Sequence, residues 1–363
     1  MSSFACPIVE VKGFGKHPNA DALSITEIMG STCIFKTGTF QKGDWAVFVP
    51  AESVVPLSHP AFSWLADPNR PKKTTHRVKA KKLRGVFSDG FLVPISDVPG
   101  HSFITYPDGG RCVVFSLNDD CDMGSLSLGY DMADRLGVVK YEEPEPVHMN
   151  TGNRRDPGFM PVYDMESWRK FKYIMEDGED VVITEKLHGC NFRAVYRDGE
   201  VFVGSRTTIK IEHETNLWWR AARLIGLQDK LKECEGIAIY GEVYGQVQDL
   251  RYGVKDIAFA AFDAYDTVKR QYLDYDDFAA LCNRLDIPMA PVLYRGPYSP
   301  QALLSVVEPP EGQPGLKSTL ADCLREGAVI KTTKHRWCQD VGRVQLKLVS
   351  EAYLLRKNGT ELH

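Results

Sequence analysis

The sequence predicts an α+β protein in which a small β-barrel precedes a larger domain of antiparallel strands and helices. Three observations carry that expectation. The first 135 or so residues break into short β-type runs, CIFKTG, WAVFVPA, GFLVPI and RCVVFSL among them, separated by Gly, Pro and Asp turns. Beyond them, strand-like runs mix with amphipathic stretches of helical period, the mark of an α+β domain. The chain is also long enough: 363 residues with 43% hydrophobic and 25% charged content bury two or three cores.

In chain order, a helix-like stretch from Asp131 to Val138 ends the barrel region, and VKYEEPEPVHMNTGNRRDPG, with three prolines and both signs of charge, reads as an exposed connection. The expected boundaries are a barrel over 1–140, a linker over 141–160 and a second domain over 161–363. DMESWRKFKYIM places Met165, Trp168, Phe171 and Met175 on one helical face, and the turn EDGED then leads into the strand VVITEK. NFRAVYRDGEVFVGS reads as a hairpin turning at Asp198 and Gly199. NLWWRAARLIGLQDKLKE is an amphipathic helix, and GIAIYGEVYG and DIAFAAFDAY return as strands.

Bulk properties remove several classes of function. Forty-four basic against 48 acidic residues, a net charge of -4, exclude a histone-like polycation, so any nucleic-acid contact rests on local patches. Nine cysteines occur singly, with no CxxC pair or zinc-ligand spacing, and read as reduced and mostly buried. The start MSSFACPIVEVKGFG lacks the order of a signal peptide, and no apolar run is long enough to span a bilayer. The expected setting is cytoplasmic or otherwise intracellular and soluble, which makes the sequon at Asn358 to Thr360 a chance match.

The segment EKLHGCNF, from Glu185 to Phe192, is a strand running into a tight turn at Gly189 that presents Lys186 at the lip of a cleft. A KxxG string alone is common, and a lysine beside an acid is usually a solvated surface charge. The ordered set that follows changes this: GSRT at 204–207, YGEVYG at 240–245, FAAFD at 259–263, EGAVIK at 326–331 and QLK at 345–347. Together these residues resemble the covalent nucleotidyltransferase superfamily of ATP-dependent ligases and capping enzymes, most closely its RNA ligase 2-like branch. The likeness covers roughly residues 160–350. His188 stands where DNA ligases and capping enzymes usually carry an acidic residue, and RNA ligase 2-like enzymes resemble this chain there.

The resemblance implies an ATP-grasp-like catalytic domain of antiparallel sheets with helices, ATP as substrate and Mg²⁺ or Mn²⁺ as cofactor. It makes Lys186 the nucleophile on the α-phosphate of ATP. An amine of ordinary pKa about 10.4 must be deprotonated to attack, which nearby positive charge favours. It puts Glu185 near the adenine, Asn191 at the metal-water shell or phosphate, and Arg206 at the ribose or the RNA 5′-phosphate. Glu242 and Glu326 would hold the ribose and the hydrated cation, because Mg²⁺ takes few direct protein ligands. Phe259 would stack on adenine, and Lys331 and Lys347 would neutralise the phosphates as pyrophosphate leaves. The bland alternatives are a strand-end carboxylate, an Asx turn, a surface arginine and a core phenylalanine. The family's last motif usually has two lysines one residue apart. Here the pair reads Gln345 then Lys347, or Lys347 then Val349 in the other register, so one cation is missing either way; either Arg343 or Lys331 compensates or a step of the reaction is slower.

HPNADALSITEI at 17–28 and KLRGVFSDGFLVPI at 82–95 resemble an OB-type barrel of the kind that binds single strands or duplex backbones. Between Arg70 and Arg84 lie eight cations and no acid: Arg70, Lys72, Lys73, Arg77, Lys79, Lys81, Lys82 and Arg84. That patch is expected to hold RNA phosphates. The expected partner is RNA, as nicked duplex or broken ends, with no membrane and no inferable protein partner. With 16 residues after Lys347, the architecture reads as OB first and catalytic domain last. Two rivals stay open: a DNA ligase or capping-type guanylyltransferase, and a non-catalytic or partly active RNA-binding protein whose nucleotidyltransferase domain has decayed.

Overall fold

A computed structural model describes residues 4–69, 72–105, 111–115, 125–142 and 151–356. The chain divides into two compact units, Ser3–Tyr141 and Glu142–His363 with Met1–Ser2.

The first unit is built from short antiparallel strands. Trp45–Pro50 is flanked by Ile8–Glu10 and Gly90–Pro94, while Leu23–Ile28 pairs with Ser31–Lys36 across a turn at Met29 and Gly30, both at positive φ. Val47, Val49, Val93 and Ile95 fill one buried cluster with Phe62 and Leu136, and Phe35, Phe40, Ala46 and Phe48 fill a second. The predicted helix shrinks to Ala133–Leu136, stopped by Gly137 in the left-handed conformation.

The basic segment forms Thr75–Arg77, paired with Ser53–Pro56, and a hairpin of Lys81–Leu83 with Val86–Ser88. Lys72, Lys73, Lys79, Lys81, Lys82 and Arg84 are exposed. Arg77 corrects the expectation: its guanidinium donates to Glu52 Oε2 at 2.6 Å and stacks 3.5 Å from the Tyr141 ring centroid, so it serves the fold. Arg70 lies outside the described residues.

Among the described residues the second unit holds two main sheets and a two-stranded ribbon of Trp337–Cys338 with Gly342–Arg343. The larger runs Asn153–Arg154, Ile209–Lys210, Glu200–Gly204, Cys190–Arg197, Ile237–Gly245, Ile257–Asp266 and Gln271–Tyr272 in spatial order. The smaller runs Glu166–Ser167, Gln345–Val349, Gly327–Thr332, Asp180–Lys186 and Val292–Pro297. The hairpin turn is confirmed, with Asp198 and Gly199 at φ 55 and 80°. Two helical expectations break. Gly226 at φ 62° splits the long helix into Leu217–Leu224 and Leu227–Lys232. DMESWRKFKYIM keeps its buried Trp168, Phe171 and Met175 but forms a strand at Glu166–Ser167, one helical turn over Trp168–Phe171 and a 3-10 turn over Lys172–Ile174. Pairing of Ser167 with Lys347 wins over helical propensity at its start.

Candidate active site

Lys186 ends a strand of the smaller sheet, and Leu187–Gly189 carry the chain across to Cys190, the first residue of a strand in the larger one. The crossover tolerates no side chain at Gly189, where a Cβ would run into the Val243 carbonyl. Lys186 is thereby set between the sheets. Its Nζ donates to Glu326 Oε1 at 2.6 Å, and Glu326 sits just before the neighbouring strand Gly327–Thr332.

In the larger sheet, Asn191 is the register partner of Glu242. The Glu242 carboxyl is pushed up to about 8, first by burial and then by the Glu326 carboxylate, against the opposing pull of Lys186. Asn191 Oδ1 and Glu326 Oε2 are buried with no hydrogen-bond partner among the described residues. Carboxylate and amide oxygens short of donors suit a hard divalent cation. Among the described residues no three His, Cys, Asp or Glu converge as a metal cage, so a cation here would rest on Glu242 and Glu326 with other oxygens and water.

Glu185 is 2% exposed, and its Oε2 accepts from the Thr319 amide at 2.9 Å and hydroxyl at 2.7 Å; its Oε1 has no partner among the described residues. Arg206 donates to Asp164 Oδ1 at 2.6 Å. Lys347 is half-buried and alternates with the core residues Leu346 and Leu348, so it shares the opposite strand face with Gln345.

Two expected ligand contacts are corrected. Phe259 is 3% exposed and pairs with Val243, which pairs with Cys190, and all three belong to one core cluster. Its ring meets Phe192 edge-on at 4.9 Å, and a Cβ on Gly241 would strike it. Glu242 and Asn191 occupy the alternate positions and face the other side of the sheet, so Phe259 is core. Lys331, at 2% exposure, is consumed by Asp263: Nζ lies 3.1 Å from Asp263 Oδ2 and donates to the Phe262 carbonyl.

Asp263 is the residue that sequence reasoning overlooked, although it closes the FAAFD motif. Burial works against its charge, but Arg343 and Lys331 outweigh that and hold the carboxyl below its ordinary range. Arg343 reaches it at 2.5 and 3.3 Å, and the Tyr163 hydroxyl donates to it at 2.6 Å. Tyr163 also lies 2.8 Å from the Gln345 side chain, whose nitrogen approaches the Asp164 carbonyl at 3.4 Å. Neither Arg343 nor Lys331 is therefore available to replace the missing cation at 345.

Residues 179–349 match the family model described as RNA ligase, and residues 6–95 match a model described as an OB-fold domain. No curated protein matches the sequence. Among solved structures, a Naegleria gruberi RNA ligase mutant with ATP and Mn is similar at 23% identity and a TM-score of 0.78, covering 97% of this chain and 98% of that one. The same ligase with PPi gives 23% and 0.76 over 96% and 97%, and another mutant with AMP and Mn gives 23% and 0.77 over 96% and 98%. At that identity the likeness establishes the fold.

Proposed function

We infer that this chain, with an RNA ligase domain over residues 179–349 behind an OB-fold domain over residues 6–95, is an ATP-dependent RNA ligase that joins 3′-OH and 5′-phosphate ends through a lysyl-AMP intermediate. The single observation that carries it is Lys186 held 2.6 Å from Glu326, both acting on the buried carboxyl of Glu242, whose strand partner Asn191 has an Oδ1 with no partner among the described residues.

In the first step the Lys186 amine attacks the α-phosphorus of ATP, a P–N bond forms and pyrophosphate leaves. As found, Glu326 holds the Lys186 side chain as its hydrogen-bond donor, an arrangement that favours the ammonium; the attacking form must give up that proton. A divalent cation at Glu242 and Glu326 would neutralise carboxylate and phosphate charge and so favour the free amine. Lys347 is the cation we assign to the phosphates. Glu185, through its unpartnered Oε1, is our choice for the base, and Arg206 for the sugar or the RNA 5′-phosphate. AMP then passes to an RNA 5′-phosphate, and a 3′-OH displaces it to form the phosphodiester. Such transfers need in-line positioning and charge neutralisation more than a dedicated base.

Nicked duplex or broken ends, and nick sealing in RNA repair, are the substrate and setting we propose. The exposed cations of the 72–84 segment support RNA phosphate contact. Incubation with ATP and Mg²⁺ is expected to add the mass of one AMP, lost in Lys186→Ala; a wild-type protein that gains no adduct sinks the reading. Labelling from GTP instead of ATP would favour a capping-type enzyme. An adduct without sealing would favour the decayed, partly active alternative, and equal sealing of RNA and DNA 3′-OH strands would remove RNA specificity.

A further inference from the structure

We propose that Tyr353 and Asp249 are positioning residues that fix His188 as its Nε2–H tautomer and thereby clasp the crossover turn behind Lys186. The His188 ring is 3% exposed, and both its nitrogens are used within the chain. Nε2 lies 2.7 Å from Asp249 Oδ1 and Nδ1 lies 2.8 Å from the Tyr353 hydroxyl. A carboxylate only accepts, so the Asp249 contact requires the proton on Nε2. In the neutral ring Nδ1 is then bare and accepts from the Tyr353 O–H. Burial is the leading influence on the ring and disfavours its charged form, with Glu326 and Asp249 opposing and Arg356 assisting.

The partners are themselves locked. Arg356 Nε lies 3.2 Å from Asp249 Oδ2, and its guanidinium stacks 3.5 Å from the Tyr353 ring centroid. The backbone of the turn is held too: the His188 amide donates to the Tyr252 hydroxyl at 2.7 Å, and the Gln248 amide donates to the Gly189 carbonyl.

The same C-terminal turn grips the other side of the Lys186 ion pair. Ser350 N donates to the Glu326 carbonyl at 2.9 Å, and Ser350 Oγ donates to the Arg325 carbonyl at 3.1 Å. Ser350 Oγ also caps the helix Glu351–Leu354, accepting from the Tyr353 amide. Residues 350–356 therefore connect the Glu326 backbone to the His188 ring, fixing both ends of the Lys186–Glu326 contact. With neither nitrogen open to substrate, His188 acts through the placement of Lys186.

The test uses the full-length protein with ¹⁵N-labelled histidine. Wild type is expected to show Nε2 protonated and Nδ1 bare at His188. Asp249→Asn, whose amide can donate to Nε2, is expected to move the proton to Nδ1, whereas Tyr353→Phe keeps Nε2–H and loses the bond at Nδ1. Lys186 adenylylation at saturating ATP is expected to slow about ten- to a hundred-fold in Asp249→Asn, the size of effect a misplaced reacting group produces, with half-saturating ATP nearly unchanged. Tyr353→Phe is expected to slow it less. If Asp249→Asn does not fold, the Tyr353→Phe rate and spectrum decide. A wild-type Nδ1–H tautomer, or wild-type adenylylation rates in the folded variants, would overturn the proposal. The rate arm rests on the ligase reading, but the imidazole spectrum does not. A wild-type protein without adduct therefore defeats that reading separately, and the tautomer then decides the clasp.

Discussion

Glu242 shows how the fold converts an ordinary residue into a poised one. In the unfolded chain its carboxyl titrates near 4.5, and in the folded protein near 8, chiefly through burial. The folded state thus binds this proton more tightly. Its contribution to stability is fully present below pH 4.5, declines as pH rises through the window between the two values and is lost above 8. The melting temperature of metal-free wild type relative to Glu242→Gln should therefore fall from pH 4.5 to pH 8 in calorimetry with chelator present. A pH-independent difference would show that the carboxyl is not raised. Gln345 is a residue of the opposite kind. A lysine there would put a third cation beside Asp263, already paired with Lys331 and Arg343. Gln345→Lys should cost about 1–3 kcal/mol in urea unfolding, as an added buried charge does, without speeding adenylylation. Faster adenylylation would mean the side chain reaches the phosphates after all.

At the scale of elements, what was legible in the sequence was local. The strand into Gly189, the Asp198–Gly199 hairpin and the order of the motifs each follow from residues adjacent in the chain. What was hidden depends on pairing across it. In FAAFD every position is apolar until the Asp, so alternation cannot say which face Phe259 takes, and the register shift at Tyr240/Gly241 alters the answer within the same pair of strands. Lys331 reads as a free cation until Asp263, 68 residues away, is placed beside it. Lys210 is likewise fully buried, its ammonium held by Asn153 at 3.0 Å and lying 4.5 Å from the Trp218 ring centroid. The core assignment predicts that Phe259→Leu lowers stability by about 1 kcal/mol, as shape-changing apolar swaps do, and leaves half-saturating ATP in adenylylation unchanged. A rise in half-saturating ATP with stability intact would return Phe259 to the nucleotide site. Asp263→Asn should be far costlier, about 3–5 kcal/mol by chemical unfolding, because two buried cations lose their carboxylate.

For the whole molecule, composition gave little and distribution gave more. A net charge of -4 hides seven cations between residues 72 and 84, and the fold takes Arg77 from them by pairing it with Glu52, which leaves six exposed. Among the described residues no helix is long and apolar enough to cross a membrane. Exposed lysines are suited to phosphates, and contacts to phosphates add affinity without sequence preference. Each phosphate contact releases counterions and contributes a slope of about -0.9 to log K against log salt on a duplex. Replacing Lys79, Lys81 and Lys82 together by Gln should therefore flatten the salt dependence of nicked-duplex binding by up to about 3 in slope, weakening binding alike for unrelated sequences. Arg77→Gln should act differently, lowering the thermal stability of the barrel unit through loss of the Glu52 and Tyr141 contacts while leaving the slope nearly as it was. If the triple substitution leaves the slope unchanged, the patch is a solvated loop and the RNA is held elsewhere.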